Sequence, residues 1–331
     1  MKAVWYERTG PPHAVLVAGE MPSPEAGAGE VRIKVAASGV NPADCYRRRG
    51  DVPMEFARVI PNSDGAGTVD QTGAGVPPGW LGQRVWLYNG QRGRAFGTAA
   101  EHIALDAGLI ARLPDNTPLD AGACLGIPCM TAHRCLFSDG PIEGQTVLVT
   151  GGAGAVGHYA VQLAKWAGAR VIATVSSASK AGQALAAGAD VLVNYRSEDV
   201  AARVLEVTGG VGVDRIVEVD FGGNMDACLK SIRLNGTIAV YASRGNPEPV
   251  LPVSACMRRN LTLRLVVLNS CPLDARQRAQ RDIVRWLETG RAIHRIASRF
   301  PLERTADAHA EVEKGTKLGT IVVDIGADRA R

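Results

Sequence analysis

Aromatic residues make up only 5% of the 331 residues, and no run approaches the ~18 uninterrupted apolar residues that cross a bilayer. Charge of one sign is also lacking. The 37 basic and 33 acidic residues leave a formal +4, too little to build an electrostatic footprint for nucleic acid or an anionic membrane. Seven cysteines stand at 45, 124, 129, 135, 228, 256 and 271, an odd number without a C-x-x-C pair. Neither a disulfide framework nor a zinc knuckle is therefore expected. His13, His102, His133, His158, His294 and His309 sit in no H-E-x-x-H or triad-like setting and read as surface or packing residues. No apolar run of signal-peptide length opens the chain. The expectation is a reduced, cytoplasmic protein without a membrane or nucleic-acid partner.

What is plentiful is small and apolar: 46% hydrophobic residues and 38 glycines, the composition of an α/β enzyme of about two domains. The first third alternates apolar and charged residues in short runs, as in Glu30-Val31-Arg32-Ile33-Lys34-Val35. Similar runs at 84–88 and 101–105 are separated by Pro and Gly, which predicts a compact antiparallel, barrel-like domain. From Thr146 the pattern changes to apolar strands at 146–150, 170–174, 191–194, 213–219, 236–242 and 261–268, separated by helices. That rhythm predicts a doubly wound parallel sheet. An amphipathic helix over 274–288, a second over 305–313 and a last strand at 319–325 read as a tail packed back on the first domain. The expected division is 1–125 with 271–331, and 126–270.

Gly152-Ala153-Gly154-Ala155-Val156-Gly157 is a G-x-G-x-x-G that directly follows one strand and opens a helix. Its glycines permit the tight turn, close approach to a pyrophosphate and close helix–strand packing. NAD-specific sites place an acid at the end of the next strand, to hold the ribose 2′-OH. Here that strand ends Thr174-Val175-Ser176-Ser177. Ser176, Ser177 and Lys180, flanked by Tyr195 and Arg196, are suited instead to a 2′-phosphate, so NADPH is the expected cofactor.

With these residues, Gly39-Val40-Asn41-Pro42-Ala43-Asp44-Cys45-Tyr46, Gly126-Ile127-Pro128-Cys129-Met130-Thr131-Ala132 and Ala242-Ser243-Arg244-Gly245 complete a pattern over essentially the whole chain. It resembles the medium-chain dehydrogenase/reductase superfamily, and within it the NADPH:quinone reductases that include zeta-crystallin. The resemblance implies a GroES-like β-rich catalytic domain and a Rossmann domain. Where zinc alcohol dehydrogenases of the superfamily carry a catalytic Cys and a Gly-His-Glu triplet, this chain has Asn41 and Asn62-Ser63-Asp64. The segment from Leu87 to Leu113 also lacks the cysteines of their structural zinc lobe. Metal-free hydride transfer from NADPH to a quinone is implied. The alternatives are reduction of a 2-alkenal or enone, and a non-catalytic NADPH-linked protein that binds RNA or serves as an interaction partner.

The resemblance also implies that Tyr46 and Thr131 lie near the nicotinamide, that Asn41 and Ser63 lie in the substrate cleft, and that Tyr241, Ala242, Ser243 and Arg244 form a cofactor-contacting turn. Arg47-Arg48-Arg49 reads as a solvated basic face that could steer an anionic cofactor. The apolar strand 261–268 should end the sheet at one edge, where a two-fold copy would cover it in a homodimer.

Overall fold

The computed structural model describes residues 1–326. They form two compact units, one built from Met1–Ile127 together with the chain from Gln280 on, the other from Pro128–Ala279.

The first unit is organised around the long strand Glu30–Val40. Its alternation places Val31, Ile33 and Val35 at 0–1% exposure. They pack on Val69, Val85, Leu87, Ile103, Leu105 and Ile110 in one apolar cluster, the period-2 burial expected of a strand with one face on a core. Asp64–Thr72 and His102–Asp106 pair antiparallel with this strand, and Arg84–Leu87 and Ile110–Arg112 continue the sheet. A strand from the tail joins this sheet: Thr320–Asp324 pairs antiparallel with Glu30–Val40, Ile321 opposite Val40. A further strand, Ile296–Pro301, pairs parallel with Thr320–Asp324. Sequence reading missed it because Ile-Ala-Ser-Arg-Phe-Pro is a short edge strand that is nowhere fully buried.

The second unit holds six parallel strands in the order Val191–Asn194, Arg170–Val175, Thr146–Val149, Val213–Glu218, Ile232–Val240, Thr262–Leu265. Thr146–Val149 and Val213–Glu218 stand side by side although two strands separate them in sequence. The strand order therefore reverses at Thr146–Val149, the topological switch point at which such sheets bind ligands. Val147, Leu148, Val171, Ile172, Ile216 and Val217 are all buried, as strands covered on both faces require. The edge strand is shorter than the apolar run 261–268. Its ladder ends with the Val266 N–H donating to the Val240 carbonyl at 2.8 Å, and Leu268–Ser270 turns into a 3-10 helix. Among the described residues no helix is long and apolar enough to cross a membrane.

Candidate active site

In the second unit, the loop after Thr146–Val149 is held from the neighbouring strand. The Gly151 N–H donates to Thr174 Oγ1 at 2.9 Å, and the Gly152 N–H to the Thr174 carbonyl at 3.0 Å. Thr174 is a positioning residue that sequence reading passed over, since a threonine inside a strand gives no signal of its own. Gly157 is where glycine is indispensable: a Cβ there would stand 2.2 Å from the Gly151 carbonyl oxygen. Helix Ala155–Trp166 starts at Gly154, which has no side-chain cap, and its first turn carries no acid. The first hydrogen bond into this helix is from His158 to the Gly154 carbonyl, 2.8 Å. The N–H groups of Ala155, Val156 and Gly157 therefore have no partner among the described residues. Together with the helix dipole they form a cradle for an anion, and Ala153 spans the turn beside them.

At the end of the adjacent strand, Lys180 Nζ donates to Ser176 Oγ at 2.9 Å. Ser177 caps helix Ala178–Ala186, its Oγ accepting from the Lys180 N–H. Tyr195 follows the next strand and is tied to Ser176's neighbour, its N–H donating to the Val175 carbonyl at 3.2 Å. Tyr195 is 50% exposed. Arg196 is exposed beside it, its N–H donating to Asn194 Oδ1. The structure thus brings Ser176, Lys180 and Tyr195 to the ends of neighbouring strands. No carboxylate lies among these residues.

The turn Tyr241–Arg244 is organised by Asp220, a residue sequence reading left out. Asp220 Oδ1 accepts from the N–H groups of Arg244 and Gly245 at 2.7 and 2.8 Å. Ser243 Oγ accepts from the Gly222 N–H and donates to the Asn246 carbonyl, and the Ala242 carbonyl accepts from the Phe221 N–H. The backbone donors of Arg244 and Gly245 are thereby spent inside the turn. Burial holds the Tyr241 phenol well above its ordinary value, with Cys135 and Glu218 adding to the effect. Thr131 is buried on helix Gly126–Phe137.

The first unit contains a different kind of site, a knot of committed polar side chains. Asn41 and Ser63 meet on Asp44: the Asn41 N–H donates to Asp44 Oδ2 at 2.8 Å, and Ser63 Oγ to Asp44 Oδ1 at 3.0 Å. Arg47 Nη2 donates to both Asp44 Oδ1 and Ser63 Oγ, at 2.6 and 2.7 Å. Ser63 thus gives its proton to Asp44 and accepts from Arg47, so its role is structural and it has no proton left to hand on. Asn41 Nδ2 donates to Asp64 Oδ2 at 2.7 Å, which also accepts from the Ile127 N–H. Asp64 Oδ1 is buried without a partner among the described residues, and burial pushes the carboxyl pKa well above the usual carboxylate range. Gly126 leaves room for this carboxyl, since a Cβ there would stand 2.1 Å from Asp64 Cγ. Tyr46 lies on the same helix, Pro42–Arg49, with the Arg49 guanidinium 5.4 Å from its ring centre.

The triple arginine is not a solvated face. Arg48 is fully buried, its Nη2 donating to Glu313 Oε1 at 2.5 Å and its Nη1 to the Gly10 carbonyl. Arg47 belongs to the knot, and only Arg49 faces solvent. Helix periodicity spreads three consecutive residues over three directions, which is why a charge run on a short helix cannot share one face. His309 completes the floor. Its Nε2–H donates to Asn62 Oδ1 at 2.9 Å, and its Nδ1 lies 3.6 Å from Cys45 Sγ. This holds Asn62 in a left-handed conformation, φ 72°.

Comparison with known proteins agrees with this geometry. Residues 27–115 match the alcohol dehydrogenase GroES-like domain, and residues 155–288 match the zinc-binding dehydrogenase domain. A quinone oxidoreductase of Mus musculus is 30% identical over 98% of this chain and 97% of its own length. The chain belongs to the quinone oxidoreductase family of the medium-chain dehydrogenase/reductases. A 2-haloacrylate reductase of a Burkholderia species is 29% identical, with 98% of both chains covered. A mycobacterial protein solved in complex with NADPH has a TM-score of 0.85 and 31% identity, covering 98% of this chain and 100% of its own.

One matched domain is described as zinc-binding, and the donors of this member of the family do not fit that metal. At the positions matching the superfamily's zinc ligands stand an amide, a hydroxyl and a carboxyl. The carboxyl already accepts from Asn41 and Ile127, and the hydroxyl is bonded to an arginine. Soft nitrogen and sulfur ligands are missing there. Among the described residues no three His, Cys, Asp or Glu side chains are grouped to hold a metal ion.

Proposed function

We propose that this protein is an NADPH-dependent, zinc-independent reductase of conjugated carbonyl acceptors, with quinones as its first substrates. The observation that carries the reading is the Ser176–Lys180 pair, without an acid, beside the three unpartnered N–H groups of Ala155, Val156 and Gly157. The residues fit NADPH. The helix N-terminus would take the pyrophosphate, and Lys180 with Ser176 the 2′-phosphate. When bound, NADPH supplies a hydride. The chain's own contribution is to orient the cofactor through the glycine loop and to shape the acceptor's surroundings with Asn41, Tyr46, Ser63 and Thr131. Asn41 retains one amide proton beyond the one given to Asp64, and that proton can meet a carbonyl oxygen. Negative charge that develops on a quinone or enone oxygen is delocalised, so a single donor or solvent suffices where a plain alcohol or ketone benefits from a Lewis acid.

The test is cofactor discrimination. Lys180→Ala should weaken NADPH binding by ~10- to 100-fold, the loss of a charge-assisted contact, and leave NADH within a few-fold. Equal losses for both cofactors would remove Lys180 from the 2′-phosphate site. The similarity to a 2-haloacrylate reductase favours enones and enoates as a second acceptor class, separable by parallel turnover of a quinone and an enal panel.

We propose in addition that the edge strand Thr262–Leu265 pairs with its copy in a homodimer. Leu265 and Met257 are each 73% exposed and Val267 61%, an apolar edge that is an association liability if left open. Leu265→Pro should remove a ladder donor and raise the dimer dissociation constant at least tenfold in sedimentation. A wild-type monomer at micromolar concentration would overturn this.

A further inference from the structure

Asn41 carries an amide, and an amide can present either a donor or an acceptor to whatever lies in front of it. Its two ends have nearly the same size and shape, so the groups behind the side chain decide which one faces forward. Behind Asn41 stands Asp64 Oδ2, 2.7 Å from Nδ2. The same oxygen takes the main-chain N–H of Ile127 at 2.8 Å. A main-chain N–H only donates, so Oδ2 is an acceptor whether or not the carboxyl carries a proton. Any proton on Asp64 belongs on Oδ1, which is buried without a partner among the described residues. With an acceptor fixed behind it, the Asn41 amide must turn its nitrogen back to Asp64. Its other N–H has no acceptor among the described residues and is left over. Polarity is thus handed from Ile127 through Asp64 to Asn41. The clamp is also dry and fixed at both ends. Asn41 is 5% exposed and Asp64 1%. The Asn41 N–H is tied to Asp44 Oδ2 at 2.8 Å, and the Asp64 carbonyl accepts from Thr98 Oγ1 at 2.7 Å.

We infer that Asp64 is a positioning residue that sets the polarity of the Asn41 amide, so that the site offers a donor to the oxygen of the acceptor. The inference rests on the reading above, in which Asn41 meets that oxygen. Hydride transfer builds negative charge there, and an N–H aimed at it stabilises the charge as it develops. A reversed amide would set its own carbonyl oxygen against the same atom and repel the charge. Asp64 never touches the acceptor in this arrangement. Its whole effect passes through Asn41, which separates it from a residue that merely fills the core.

The test measures NADPH oxidation by 1,4-benzoquinone and cyclohex-2-enone in Asn41→Leu, Asp64→Leu, the double variant and Asp64→Asn. Asn41→Leu removes the donor and Asp64→Leu its anchor. Each should cut kcat by about tenfold or more, with the acceptor KM within about threefold of wild type. The double variant should lie within about twofold of Asn41→Leu alone, because the second change acts only through the first. Asp64→Asn keeps an accepting oxygen in the same place and should recover kcat to within about threefold of wild type. A second readout needs no turnover. The side-chain N–H pair of Asn41 is recognised in nitrogen-15-labelled protein by its absence from Asn41→Leu. It should exchange with solvent about tenfold faster in Asp64→Leu and stay protected in Asp64→Asn. Losses that multiply in the double variant, or an Asn41 pair equally protected in Asp64→Leu, overturn the inference. Should Asp64→Leu fail to fold, Asp64→Asn decides: a kcat as low as that of Asn41→Leu, or an unprotected Asn41 pair, overturns it. Full turnover of both acceptors by Asn41→Leu removes Asn41 from the reaction, and the inference falls with it while the cofactor reading stands. If the wild type turns over neither acceptor, the reductase reading falls. The exchange of the Asn41 pair then decides by itself whether Asp64 sets the amide.

Discussion

The two candidate sites are built on opposite principles. The loop at 151–157 works by what is left out: no Cβ at Gly157, no side-chain cap at Gly154, no acid in the first helical turn. Its donors are main-chain groups kept free for a ligand. The knot at Asn41, Asp44, Arg47, Ser63 and Asp64 works by what is put in, and its polar atoms are largely spent on each other. A site made of unspent backbone is general and takes a phosphate in any protein that presents it. A site made of mutually committed side chains is particular, and its specificity resides in the few groups it leaves unspent. Here the second amide proton of Asn41 is such a group.

The sharpest way to break this contrast is at Gly157. Gly157→Val would drive a side chain into the Gly151 carbonyl, 2.2 Å from the first added atom. That contact is between the Cβ, fixed by the backbone, and a main-chain carbonyl, and cannot be relieved by a rotamer. NADPH binding followed by cofactor fluorescence should fall more than 100-fold, with the secondary structure of the soluble fraction retained by circular dichroism. Binding within tenfold of wild type would mean that the loop has room to open and that its shape does not set the cofactor site.

The same contrast explains what was legible in the sequence. The glycine loop announced itself because its meaning lies in consecutive residues between a strand and a helix. So did the six parallel strands and the period-2 strand Glu30–Val40. Ser176 and Lys180 drew notice because they stand four residues apart around one helix start, and the missing acid because it is a gap in a known spacing. The knot was readable only in part. Asn41 and Ser63 were found through resemblance, while Asp44 and Arg47 look like an ordinary first helical turn and part of a charge run. Their partners lie 16 to 19 residues away, and Arg48 finds Glu313 across 265 residues. Side-chain pairing at such separations leaves no local pattern. Asp220 was missed for the same reason, and Asp64, read only as part of the triplet that replaces the zinc ligands, gave no sign of its burial, since a lone aspartate reads the same whether its carboxyl is buried or solvated.

Arg48 sharpens the comparison from the side of stability. A fully buried guanidinium that bridges Glu313 and the Gly10 carbonyl strands the Gly10 carbonyl when it is truncated and leaves Glu313 only the more distant Arg49, at 3.9 Å. Arg48→Ala should cost about 3–5 kcal/mol in urea unfolding, the usual penalty for stranding one member of a buried pair. Arg48→Met, combined with Glu313→Leu, should recover at least half of that, because an apolar pair of similar volume has no desolvation cost. If Arg48→Ala costs less than 1 kcal/mol, water reaches the site and the buried strut does not exist.

The smallest expected effect is a dependence on pH, and it isolates His309. This imidazole is buried against Asn62 and Cys45, and burial, with Arg48 and Arg47 nearby, pulls its pKa from 6.5 down to about 3. The folded protein therefore keeps His309 neutral where the unfolded chain protonates it. Above pH 6.5 both states are neutral and the contribution to stability is complete. As the pH falls from 6.5 towards 3 the unfolded state gains a proton that the folded state refuses. Stability then declines by up to ~1.4 kcal/mol per pH unit from this residue alone. Asp64 opposes the trend. Its carboxyl is held above the ordinary value of 3.8, so the folded state keeps a proton that the unfolded chain has released, and stability rises as the pH falls through that interval. Because the two slopes partly cancel in the wild type, the raw profile is shallow. His309→Gln retains a donor to Asn62 and cannot titrate, so the wild-type curve subtracted from its curve should rise steadily from pH 6.5 to 4 in denaturant titrations. Parallel curves across that range would mean that His309 is protonated in the folded protein, and that Asn62 is held by something other than a neutral imidazole.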